Sequence, residues 1–341
     1  MKKFLRTIIA VTLAATMLLG MGVCSFAFAE PAKPVYTCLG DSNSAAHGLD
    51  GWHENRVPVP GAYHSIIAEE LGYELKPFGS GGYRTSEIRY LIDPTYEMDW
   101  EYAKICNSNV TKEFMDTYKD AYFQAVVDAD LITIQVGAND IMGDALGFAF
   151  LGYDDPIQFF EDLKAKIPAE SSIFSVIETL DSLVKALKLV TSLYNNIQAK
   201  YPVFREDWDA IIKRIYEVNP DVEIVVLSAV NSFGNVSFTG SPVKGGRIFD
   251  LPIAKLNNWI AYGSEWADTY KFVDVTDFRY TSLSMADPDF WATYLPLVHP
   301  NGEQHKAIAD RVIDVIENDK QTTATPIEVA FGKALTKILW K

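Results

Sequence analysis

The sequence predicts an α/β protein in which helices wrap a parallel sheet, and three observations carry that prediction. Short runs rich in apolar and β-branched residues recur at Val35-Tyr-Thr-Cys-Leu39, Asp130-Leu-Ile-Thr-Ile-Gln-Val136 and Val222-Glu-Ile-Val-Val-Leu-Ser-Ala-Val230. Runs of this kind are what strands covered on both faces require. Between them lie segments whose apolar residues fall at helical spacing, such as Ile308, Val312, Val315 and Ile316. The two kinds of segment alternate along the chain, and a parallel pair of strands can only be joined by such a crossover.

Taken in order, Val35–Leu39 is the first strand and is closed by Gly40-Asp41-Ser42. Tyr63 to Leu71 reads as a helix. The second strand, Tyr73 to Phe78, ends in Gly79-Ser80-Gly81-Gly82, and Thr85-Ser86-Glu87 then carries helix-start chemistry ahead of Ile88 and Leu91. Asp130–Val136 is the third strand and stops at Gly137; Val222–Val230 is the fourth, Tyr270–Val275 the fifth, and Gly302–Ile316 the closing helix. About 85 residues separate the third strand from the fourth, whereas a crossover needs on the order of 12. The excess is a helical insertion over about residues 141–203, in which Ile173, Ile177, Leu180, Val184 and Leu187 mark one stripe and Val176, Leu183 and Val190 a second. Two apolar stripes mean a helix covered on more than one side. Asp155-Pro156 and Tyr201-Pro202 bracket the insertion, and Phe204–Val218 is the expected crossover helix. Such an insertion either thickens the core or caps the mouth of a site, since it leaves from a strand end. A polar tail follows Asp319, with a short helix from Ile327 to Trp340.

Lys2, Lys3 and Arg6 precede an apolar stretch from Ile8 to Val23, and Ala27-Phe28-Ala29 supplies small residues for a signal peptidase. Residues 1–29 therefore read as a signal peptide cleaved after Ala29. The stretch is short of the roughly 20 residues that span a bilayer. Cleavage takes away three cations and no acids, moving the formal charge from −15 to −18. With 30 Lys and Arg against 45 Asp and Glu and no basic cluster beyond the leader, nucleic acid is excluded as a partner and adsorption to anionic lipid is disfavoured. No other run is long and apolar enough to span a membrane. Cys24 leaves with the leader. Cys38 lies in a strand and Cys106 in a polar loop, and export permits, without requiring, that they pair. His47, His53 and His64 lack a carboxylate at ligand spacing and read as loop or helix-surface residues, so no metal site is expected. Trp52, Tyr83 and Trp291 fall in loops beside the motifs, either lining a pocket or packing.

Four strand or helix ends hold the residues that suit acyl chemistry: Gly40-Asp41-Ser42, Gly81-Gly82, Gly137-Ala138-Asn139-Asp140 and His299-Pro300-Asn301-Gly302. Each alone is a common turn or cap, and Asp41 and Asp140 read as turn and cap residues. Their order along the chain is more specific. It resembles the SGNH hydrolases, the GDSL esterase/lipase superfamily, from about Val35 to Ile316. The resemblance implies a flavodoxin-like three-layer α/β/α sandwich, with a hydrolase domain over 30–319 and a tail over 320–341. It implies Ser42 as nucleophile and His299 as base. The oxyanion donors would be the Ser42 N–H, the Gly82 N–H (or that of Gly81) and the Asn139 side-chain amide. No cofactor is implied, and the substrate would be a small-molecule or glycan ester: an acylated carbohydrate or a lipid.

One position departs from the family pattern. An acid is usual three residues before the histidine, and Pro296 stands there. The Pro296 carbonyl can accept from His299 Nδ1, since proline keeps its C=O; Asp287 or Asp289 can reach back instead. The departure also leaves open a non-catalytic glycan-binding or structural module.

Overall fold

The computed structural model describes residues 32–52, 56–101, 103, 110–149, 173–237, 245–278, 283–284 and 299–340. The leader, His53, Cys106, residues 150–172, Asp287, Asp289, Trp291 and Pro296 lie outside them.

Five strands form a parallel sheet: β1 (Val35–Gly40), β2 (Glu74–Pro77), β3 (Leu131–Gln135), β4 (Glu223–Leu227) and β6 (Lys271–Val273), in the order β2-β1-β3-β4-β6. A separate parallel pair joins β5 (Val236–Ser237) and β7 (Leu283–Ser284). β1 runs one residue past its apolar run, to Gly40, whereas the other four main strands are one to three residues shorter at their ends than their runs suggest.

Side chains alternate between two cores. Tyr36, Cys38, Leu131, Val225, Leu227 and Val273 face one layer, with α1 (Tyr63–Leu71) and α8 (Gly302–Glu317). Leu39, Ile132, Ile134, Ile224, Val226 and Phe272 face the other. There lie α2 (Thr85–Ile92), α4 (Lys119–Val127), α5 (Ala138–Ala149), α6 (Ile173–Val218) and α7 (Asp250–Tyr262); α3 (Lys112–Asp116) is a short turn before α4. The result is the three-layer α/β/α sandwich, in the flavodoxin-like strand order whose switch point is the β1/β3 crevice.

Phe204, Trp208, Ile211, Ile212 and Ile215 recur every three to four residues and are all buried, which fixes the crossover half of α6 on the sheet. Pro202 does not divide this helix from the insertion: α6 runs through it without a break for 46 residues. Burial of the flanking Tyr201 and Phe204 outweighs the missing backbone donor. Residues 34–341 make up one compact unit, and the tail belongs to it. Thr322 bridges to Phe272 at the edge of the sheet, and α9 (Pro326–Leu339) follows, capped by Thr325.

Candidate active site

β1 ends at Gly40, where φ is 140° and an added Cβ would lie 2.2 Å from Gln135 O. Only glycine lets the chain leave β1 so close to β3. Ser42 then stands in a tight turn at the β1/β3 crevice. Asp41 N donates to Gln135 O at 3.0 Å, while Ala45 N and His47 N fold back onto Asp41 O and Ser42 O at 2.9 and 3.0 Å. The buried Asp41 carboxylate accepts from Asn43 N at 3.0 Å, and burial pushes its pKa up to about 7. Asp41 thus organises the turn on which Ser42 is carried.

His299 comes from the opposite end of the chain. Asn301 caps α8 in a reciprocal pair with Gln304, both bonds being 3.0 Å, which anchors the residues just after the histidine. His299 Nε2 lies 2.8 Å from Ser42 Oγ. For Nε2 to accept the hydroxyl proton, Nδ1 must carry the other one.

The third strand end supplies Asn139, in the first turn of α5. Its Nδ2 donates to Tyr83 O at 3.0 Å, and an amide nitrogen has a second N–H to give. Gly82, with φ at 76°, turns the chain beneath that carbonyl. Among the described residues neither the Ser42 N–H nor the Gly82 N–H donates to a protein acceptor. Asp140 points elsewhere: it accepts from Thr85 N at 3.1 Å and Thr85 Oγ1 at 2.5 Å, locking α5 to the start of α2. Beside Asp140 a cavity of about 320 Å³ is lined by charged side chains, among them Arg84, Asp99 and Asp207, and by the apolar Met98, Val203 and Phe204. Asp207 pairs with Arg89 at 2.8 Å, and burial raises its pKa to about 6.

His47 and His64, expected as loop or helix-surface residues, lie in the turn after Ser42 and on α1, and both are buried. The His47 ring centroid lies 5.1 Å from that of His299 and 3.7 Å from Trp52. It occupies the space beside Gly81, whose Cβ would come within 2.7 Å of the ring. His64 is buried on the inner face of α1 and bonds Ser65 Oγ at 3.2 Å. Desolvation lowers both to about 3, with His299 adding to the effect at His47 and His305 at His64. His305, which the sequence reading passed over, accepts from Tyr63 N at 3.2 Å, and burial lowers it to about 4. Its signal was available, since it continues the buried Ile308, Ala309 and Val312 stripe by one turn. Tyr63 in turn bonds Ser44 Oγ at 2.9 Å and Cys38 Sγ at 3.3 Å, tying the Ser42 turn to α1. Cys38 is a free, buried thiol. Tyr83 is fully buried and packs in the core with Leu39 and Ile88.

A serine hydroxyl within hydrogen-bond reach of an imidazole suits attack on a carbonyl, and the class of protein is the carboxylic ester hydrolases. The chain belongs to the GDSL-like lipase/acylhydrolase family, whose model matches residues 38–307. A non-catalytic module is accordingly not retained. The solved structures it resembles include an extracellular lipase from Streptomyces rimosus, at 17% identity and a TM-score of 0.47, covering 84% of this chain and 99% of that one. A family 2 carbohydrate esterase from Myceliophthora fergusii aligns at 15% identity and a TM-score of 0.39, covering 84% and 67%. A phospholipase A1 from Streptomyces albidoflavus aligns at 15% and 0.38, covering 71% and 79%. Among proteins of curated function none matches the sequence significantly.

Proposed function

We propose that this chain is an exported serine esterase working through an acyl-enzyme on Ser42. The observation that carries the reading is the 2.8 Å contact between His299 Nε2 and Ser42 Oγ, because a serine hydroxyl needs a base within hydrogen-bond reach to become a nucleophile. His299 takes the Oγ proton as Oγ attacks the ester carbonyl. The oxyanion that forms meets the N–H groups of Ser42 and Gly82 and the second N–H of Asn139. Collapse returns the proton from His299 to the leaving alcohol, and a water activated by the same nitrogen releases the acid. The Pro296 carbonyl is the proposed acceptor for His299 Nδ1–H, with Asp287 and Asp289 as competing acceptors. Cleavage after Ala29 would start the exported form at Glu30.

Between an acylated carbohydrate and a lipid, the formal charge of −15, which disfavours adsorption to anionic lipid, favours the carbohydrate ester. Rates on p-nitrophenyl esters from acetyl to palmitoyl test this together with the nucleophile. The expected result is a maximum at acetyl with little left by octanoate, and loss of hydrolysis to background in Ser42→Ala. A maximum at palmitate would make the substrate a lipid, and a Ser42→Ala variant as fast as the wild type would remove the mechanism.

A further inference from the structure

The C-terminal helix α9 has two apolar faces, and among the described residues only one is packed against the rest of the chain. On its inner side Asn258 Nδ2 donates to Gly332 O at 3.0 Å, Thr336 Oγ1 donates to Asn258 Oδ1 at 2.9 Å, and Trp340 packs on Trp259 and Tyr201 with ring centroids 5.2 Å away in each case. These contacts hold the helix rigidly on α7. On the opposite side Ile327, Phe331 and Ile338 are 82%, 69% and 70% exposed, and Ala330 and Ala334 are exposed with them. An aligned row of large apolar side chains in water marks an interaction surface.

The row has an internal symmetry. Ile327, Phe331, Ala334 and Ile338 are spaced four, three and four residues apart, the seam spacing of a helix that packs against another helix, and the spacing reads the same in either direction. We propose that α9 pairs antiparallel with α9 of a second copy of this chain across a two-fold axis. That arrangement sets Ile327 of each copy against Ile338 of the other and fits the large Phe331 over the small Ala334, so one surface is its own complement. The charges agree. Glu328 lies in the first turn and Lys333 and Lys337 in the second half of the helix, so antiparallel pairing brings the acidic end of one copy level with the basic end of the other. Parallel pairing would set like ends side by side.

A 14-residue helix is roughly 21 Å long, and a pair of that length buries less than the ~800 Å² per partner of a standard interface. The dimer is therefore weak, with a Kd in the range of about 1–100 μM. Each copy carries −15, so association strengthens with salt as the mutual repulsion is screened.

Sedimentation of the purified protein over that concentration range, at low and high salt, tests the pairing. The expected result is a monomer–dimer equilibrium tighter at high salt, weakened at least tenfold in both Phe331→Glu and the milder Phe331→Gln, with ester hydrolysis by the monomer unchanged because α9 carries none of the site groups. In a Cys106→Ser background, mixing Phe331→Cys with Ala334→Cys should give the mixed disulfide in preference to either homodimeric one. A sedimentation coefficient that stays monomeric throughout, or a dimer indifferent to both Phe331 variants, would overturn the proposal. So would a chain that remains monomeric yet binds vesicles of anionic phospholipid through this face, with binding that falls as salt rises.

Discussion

Asn139 has one amide hydrogen on Tyr83 O, and its second is the proposed donor to the developing oxyanion. Asn139→Ala should therefore lower kcat by about 10²–10³, with KM changed little, since the donor acts on the transition state and not on the bound ester. Steady-state kinetics on an acetyl ester checks this; a loss confined to KM would place Asn139 in substrate binding instead. The buried histidines make a different prediction. His64 is held to about 3 in the folded chain, against about 6.5 when unfolded. Below 6.5 the unfolded chain takes up a proton that the folded chain refuses, so this residue's contribution to stability is intact above 6.5 and is lost as pH falls toward 3, by up to about 1.4 kcal/mol per pH unit. His64→Gln should flatten urea-unfolding free energy against pH in that window relative to the wild type, and parallel curves would show that His64 does not titrate there. At this scale the sequence order of Ser42, Gly82, Asn139 and His299 was readable because each stands at the end of a strand or the start of a helix. The burial of His47 beside His299 was not readable, because it depends on the path of the turn after Ser42 and on the space that Gly81 leaves.

At the scale of elements, strands and helices were legible wherever periodicity and a stop signal coincided. Gly40 and Gly137 each close a run of β-branched residues, and Asn301 with Gln304 announces α8. Pro202 was the misleading signal. Read locally it ends a helix, yet α6 passes through it, because Tyr201 and Phe204 are seated in the core and tertiary packing overrides a local preference. The cost remains in the helix, so Pro202→Ala, which restores the missing N–H at an exposed position, should raise the unfolding free energy by up to about 3 kcal/mol. A urea midpoint that moves down would mean that a bend at Pro202 is needed for packing. The outer face of α9 was legible as apolar spacing, but its exposure was not, since the same spacing would serve a helix buried within its own chain.

Across the whole molecule, the strand order β2-β1-β3-β4-β6 brings the turns after β1, β2 and β3 together at the carboxyl ends of the strands, and His299 meets Ser42 there although 257 positions separate them. The acidity that disfavours nucleic acid bears on substrate as well: a chain at −15 repels anionic ligands and leaves neutral esters unhindered. Everything proposed for the reaction rests on Ser42 forming a covalent bond, and that bond can be observed directly. After treatment with an organophosphonate that mimics the tetrahedral intermediate, peptide mass spectrometry should find one adduct, on Ser42, formed with loss of hydrolysis and absent from Ser42→Ala. Full inhibition with the adduct on another residue, or continued hydrolysis by protein wholly labelled at Ser42, would contradict the account.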